Sequence, residues 1–314
     1  MSKSGIILAF AVVVALVGAG AGIYFTPNEN DTVEIEIKDL FEVGDEHTRV
    51  MELDIVLEIS NIRTVGGNLI FDVYEDGSLD SSDQTYEDLT DYIIGGIVFD
   101  ETESDATAGD EERISTPFGE RDCIVYTEDM GEGLEDVYYV GKNNNVVYRD
   151  EQLVNGMVLA TYTLQKSDLL IESNTAIGLK NAEDIEEGDS CSFKIMYMYT
   201  FAIEGVNLPE GDGTVTYDVR VFGSSLEEPL TRDEMIQATV LFLPESIRDS
   251  AVDVRIENVD TSLGRVKCLA YTCEDGPGIE ITYYVSNDVL VMIGGISGGM
   301  AKIYWEHTDL VVAK

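Results

Sequence analysis

The residues of this chain best equipped for chemistry near neutral pH are two histidines, His47 and His307, and four cysteines, Cys123, Cys191, Cys268 and Cys273. Imidazole titrates near pH ~6.5 and can move protons or bind metals, and a thiolate is both nucleophile and metal ligand. Neither histidine lies in an H-E-x-x-H pattern or beside a cysteine pair, so the spacing of a zinc hydrolase is missing. Isolated histidines of this kind are expected at the surface. G-x-S-x-G, the phosphate-binding P-loop and the dinucleotide fingerprint are also missing, and Gly131-Glu132-Gly133 reads as a turn. Hard oxygen ligands are plentiful in Glu210-Gly211-Asp212-Gly213 and in Asp100, Glu101, Glu103, Asp105, Asp110 and Glu111. Without the ligand order of a calcium loop they predict only weak, nonspecific cation binding. No catalytic, cofactor-binding or metal-binding residue is assigned, and no cofactor is expected.

The cysteines carry positional information. Cys123 and Cys268 belong to a 25-residue stretch used twice, Thr116 to Val140 and Thr261 to Val285, with 11 identical positions and no gap. Equivalent cysteines on strands are expected to be small buried hydrophobes. Cys191 and Cys273 have no cysteine counterpart in the first copy. An addition confined to one copy predicts that they pair as a disulfide, with Cys191 to Cys268 as the alternative.

The elements that must position these residues are β strands. Met51, Leu53, Ile55, Leu57 and Ile59 alternate with mostly acidic residues, and Phe193, Ile195, Tyr197, Tyr199, Phe201 and Ile203 repeat the pattern. A period of two puts one face on a core and one in water. Gly44-Asp45 against Gly188-Asp189, Asp72 against Asp218, and Asp168-Leu169 against Asp309-Leu310 extend the duplication over the whole body. Thr231-Arg232-Asp233-Glu234 fits a capping box and predicts a short helix stopped by Pro244; its counterpart is placed at Thr90 to Phe99, and Asp100 to Phe118 reads as a mobile loop.

The expected fold is mainly β with minor helix: two tandem repeated, antiparallel, strongly curved β-meander domains behind an N-terminal transmembrane helix. The boundaries are an anchor at 1–25, a stalk at 26–32, and repeats at 33–173 and 174–314. The pattern G-x-x-x-C-x-x-Y followed by Y-Y-V, a turn and a terminal D-L strand resembles archaeal membrane-anchored surface proteins with duplicated β domains. More distantly, the strand order is similar to the half-barrels of LolA-like lipoprotein carriers. The first resemblance implies no activity; the second implies an apolar ligand between sheet and helix.

Charge and hydropathy set the address. With 61 acidic and 19 basic residues the formal charge is −42, which repels nucleic acid, whose binding needs Lys and Arg to displace counterions. Gly5 to Phe25 is 21 residues without a charge, long enough at ~1.5 Å per residue to cross a ~30 Å hydrocarbon layer. Lys3 before it and no further basic residue until Lys38 predict a cytoplasmic N-terminus and an extracytoplasmic body in the cell membrane. Cleavage near Gly18 to Gly22 is the competing reading. The expected function is a non-enzymatic, anchored surface protein presenting duplicated domains to a protein partner; the alternative is a carrier or sensor of an apolar or lipid ligand. Protease added to intact cells is expected to digest the body, and protection of the body would reverse the topology.

Overall fold

A computed structural model describes residues 32–89, 99, 104–172, 177–209, 213–239, 241–274, 280–294 and 301–314. Gly5 to Phe25 lies outside them. Among the described residues no helix is long and apolar enough to cross a membrane. The protein is mainly β, and the described residues fall into two compact units, 32–53 with 197–314 and 54–196. The second unit is one continuous stretch and the first is assembled from the two stretches that flank it, with bounds that differ from 33–173 and 174–314. The divisions fall inside the two long strands, Glu46–Val65 and Ser190–Asn207, the alternating runs seen in the sequence.

Ladders join neighbours in chain order, as short turns between consecutive strands dictate. In the second unit Thr107–Thr116, Gly119–Gly131, Leu134–Gly141, Val147–Val154 and Met157–Ser167 form one antiparallel meander. In the first unit Asp253–Thr261, Gly264–Glu274, Glu280–Ser286, Val289–Gly294 and Ala301–Thr308 do the same, and the last pairs with residues 47–53. The same turn opens both meanders. Thr116 Oγ1 donates to the Gly119 carbonyl (2.7 Å) and accepts from Phe118 N (3.1 Å); Thr261 Oγ1 does so with Gly264 (2.8 Å) and Leu263 N (3.1 Å). Gly119 and Gly264 sit at φ of 91° and 114°, where a Cβ would strain the backbone. These bonds account for two of the repeated identities.

The region read as a mobile loop is corrected: Thr107–Thr116 is a strand. Residues Thr107 to Arg113 are exposed on both faces and only Ile114 is buried, so no apolar alternation announces it. The helix Arg232–Ala238 forms as expected, with both bonds of the capping box between Thr231 and Glu234. Its counterpart begins earlier than placed: residues 86–89 are helical. Asp88 Oδ2 accepts from Thr85 N (2.9 Å), and Asp88 N donates to Thr85 Oγ1 (3.2 Å), a second capping box. Residues 90–98 of the expected helix lie outside the described residues.

Each unit has a filled core. In the first, Met235 and Ala238 of the capped helix pack with Phe201, Tyr217, Val219, Val266 and Trp305; in the second, Leu57, Phe71, Leu89, Cys123, Leu164 and Cys191 pack together. Burying each such side chain stabilises by ~1.5–3 kcal/mol.

One bonded set closes each unit, and it is built from both halves of the chain. In the first unit Asp45 accepts from Lys38 Nζ (2.8 Å) and Glu42 N (2.9 Å). Ile203 N donates to the Asp45 carbonyl (2.9 Å), Gly44 N to the Ile203 carbonyl (2.9 Å) and Lys38 N to the Leu310 carbonyl (2.9 Å). In the second unit Asp189 accepts from Lys180 Nζ (2.8 Å) and Glu186 N (2.8 Å). Ile59 N donates to the Asp189 carbonyl (2.8 Å), Gly188 N to Ile59 (2.9 Å) and Lys180 N to Leu169 (2.8 Å). The leading segment of each sequence copy thus completes the unit built mostly from the other.

Asp45→Ala leaves a half-buried ammonium and a backbone N–H without their acceptor, a loss of about 2–4 kcal/mol. At ~2–4 °C per kcal/mol for a unit of this size, scanning calorimetry is expected to show the first unit's transition fall by about 5–15 °C with the second unmoved. Asp189→Ala is expected to do the reverse; equal falls in both transitions from either variant would contradict the exchange.

Candidate functional site

Comparing corresponding positions in the two units locates the residues in which they differ chemically. The clamp places Asp45-Glu46-His47-Thr48-Arg49 against Asp189-Ser190-Cys191-Ser192-Phe193, and the Asp309 and Asp168 strands place Trp305 against Leu164. His47, Arg49 and Trp305 are 0%, 1% and 3% exposed. The first unit's core therefore carries a polar group where the second has Cys191, Phe193 and Leu164. Expectation is corrected for His47, which is buried; its strand lies in the core and its ring packs 6.5 Å from that of Phe201. His307 is exposed and bonds Asp309 (3.1 Å).

Arg49 and Trp305 face each other across a strand pair. Arg49 Nη1 donates to the Thr239 carbonyl (2.8 Å) at the end of helix Arg232–Ala238, where the helix dipole concentrates negative charge. Burial alone lowers the guanidinium to about 9. His47 is held well below its ordinary value, first by burial, then by the charges of Arg49 and His307, although the nearby Thr239 carbonyl favours its charged form. Neither His47 ring nitrogen nor Trp305 Nε1 makes a hydrogen bond among the described residues. A neutral imidazole beside a buried cation can accept a proton only at the expense of the core around it.

The second unit carries a different polar group. Tyr126, Tyr138, Asp150 and Tyr162 form one row across four strands, and Glu128 and Asp136 start the next. Phe99 covers the row, its ring 4.4 Å from Tyr126 and 5.4 Å from Tyr138. Under it Asp150 is pushed up to about 7, first by burial, then by Asp136 and Glu151. Burial also raises Asp136, against the Tyr138 hydroxyl that donates to it (3.5 Å). The first unit has Tyr271, Tyr283, Ile293 and Ile303 in the corresponding row. A carboxyl titrating near neutrality can store or relay a proton. Among the described residues no cluster of three or more His, Cys, Asp or Glu has the geometry of a metal site.

All four cysteines are free thiols and buried. Cys191 and Cys273 belong to different units, Cys191 packing with Cys123 in the second unit's core and Cys273 with Ile281 and Tyr283 in the first. Cys273 Sγ donates to the Ile247 carbonyl (3.4 Å). Burial raises Cys123 to about 11 and Cys191 and Cys268 to about 12, which suppresses the thiolate. Of the cation-binding candidates, Asp110 and Glu111 lie on the exposed strand Thr107–Thr116, while Asp100, Glu101, Glu103, Glu210 and Asp212 lie outside the described residues. No protein-family model matches the chain, and no curated protein matches it.

The two polar groups give the units opposite responses to acid. Below pH ~6.5 the unfolded state protonates His47 while the folded state resists, so the first unit loses stability as pH falls. Between pH ~4 and ~7 folded Asp150 holds a proton that the unfolded state releases, so the second unit loses stability as pH rises through that window. Calorimetry between pH 5 and 7.5 is expected to show His47→Leu flattening the first unit's pH dependence and Asp150→Asn the second's. Unchanged profiles would refute both assignments.

Proposed function

We propose that this chain is a non-enzymatic surface protein, held in the cell membrane by Gly5 to Phe25 with its body extracytoplasmic, that presents two related β units to a protein partner. The observation that carries this reading is the filled interior beneath the capped helix. Met235 is 0% and Ala238 3% exposed, packed on Phe201, Tyr217 and Trp305, so the protein's own side chains occupy the space where an apolar cargo would sit. That favours binding at the outside over carriage within. The raised pKa values of the buried Cys123, Cys191 and Cys268, and histidines outside any nucleophile motif, point away from covalent catalysis. Two related units on one chain raise avidity when a partner reaches both, and the acidic surface excludes nucleic acid as that partner.

Native mass spectrometry of the full chain, released from its own membrane in mild detergent, is expected to give the polypeptide mass without a stoichiometric lipid. A lipid copurifying at about two per chain would replace the scaffold by the carrier. Substrate turnover abolished by one polar substitution would replace both with an enzyme.

A further inference from the structure

Strand Asp253–Thr261 opens the first unit's meander and, among the described residues, has one ladder partner, Gly264–Glu274. Val252, Val254 and Ile256, at the start of this strand, are 59%, 50% and 63% exposed, and Ile256 faces Leu269, itself 43% exposed. An edge with free backbone groups and an apolar face is a template for another strand. The corresponding strand of the second unit, Thr107–Thr116, enters the same Thr-x-x-Gly turn but carries Thr107, Gly109 and Glu111 at those three positions, with Asp110 and Glu112 beside them. Like charges and a register shift between Ala108 and Glu111 protect that edge; among the described residues the other runs in unbroken register without them.

The order of residues names the occupant. From 252 to 256 the strand reads Val-Asp-Val-Arg-Ile, apolar and charged in alternation, with the acid and the base equally far from the centre. Antiparallel pairing of two such strands about a two-fold axis through Val254 sets Val254 against Val254, Val252 against Ile256 and Asp253 against Arg255. Every charged pair is then opposite in sign and every apolar pair shares a face. We propose that this edge is the contact between two copies of this chain, joined isologously strand to strand about Val254. Arg255 now bonds Asp253 (2.9 Å) and Glu257 of its own strand, and about half of its side chain is exposed, so it can exchange Asp253 for the one opposite. In the second unit the register shift between Ala108 and Glu111 interrupts the strand at the corresponding residues, and no base stands there to pair with Asp110 or Glu111.

A five-residue ladder buries little area, so the dimer is weak, and the charge of −42 on each chain opposes it until salt screens the repulsion. Disulfide trapping reads weak contacts. Val254→Cys in the full chain, oxidised in 0.5 M salt, is expected to give a crosslinked dimer, since the four native thiols are buried. Adding Arg255→Asp sets Asp against Asp and is expected to slow trapping about tenfold or more. Adding Asp253→Arg to that variant restores opposite charges with the order reversed and is expected to restore the rate. All three sites are exposed, and an unchanged circular-dichroism spectrum checks the fold of each variant. A Val254→Cys chain that stays monomeric, or trapping indifferent to Arg255→Asp, would overturn the proposal.

Discussion

Asp45 and Asp189 each join a lysine, a backbone N–H and, through their own carbonyls, a distant strand. Both carboxylates are 8% exposed, so water cannot substitute for these donors, and the bonds are worth more than their surface equivalents. Because each aspartate stands on the leading segment of one copy and the strand it grips comes from the other, neither copy alone, 33–173 or 174–314, contains all the partners in its own set. Loop closure over more than a hundred residues adds only slowly to the entropic cost. The duplication makes the exchange available, since either leading segment presents the same donors and acceptors.

Against that shared frame of turn, capping box and bonded aspartate, differences in side-chain chemistry between the units are informative. His47, Arg49 and Trp305 stand where the second unit has Cys191, Phe193 and Leu164, and Asp150 and Tyr162 stand where the first has Ile293 and Ile303. Each polar group sits in an environment that penalises its charge, and each has an apolar alternative at the corresponding position that packs without penalty. The two sets of substitutions therefore destabilise their own units. Arg49 recovers part of this loss at the helix end through the Thr239 carbonyl, and Asp150 by keeping its proton.

Much of this was legible in the sequence. The two long strands declare themselves by alternation, the turn at Thr116 and Thr261 by identical Thr and Gly, and the helix after Thr231 by its capping box. The helix start at Thr85 carries the same signal in weaker form: Asp88 takes the role of Glu234, but the shorter aspartate departs from the Glu or Gln that a capping box calls for. The strand Thr107–Thr116 was illegible because an edge exposed on both faces selects for polarity at every position. The burial of His47 was hidden because alternation assigns a residue to a face without saying which face is covered, and its partner copy offers a cysteine there instead. The exchange of leading segments leaves no trace in composition at all, since both copies carry the same contacts and only tertiary pairing tells which copy each segment serves.

The same distinction between frame and difference bears on solubility and contact. A chain with 61 acidic and 19 basic residues repels its own copies, and least where apolar side chains interrupt the acids and a base alternates with an acid. The second unit's edge keeps its acids and shifts register between Ala108 and Glu111, and both features disfavour an added strand. The first unit's edge lacks both features over five residues and runs in unbroken register into the same Thr-x-x-Gly turn. Register and side-chain charge together decide which edge can accept a strand, and the order Val-Asp-Val-Arg-Ile restricts the acceptable strand to one with the reverse order, which an antiparallel copy supplies.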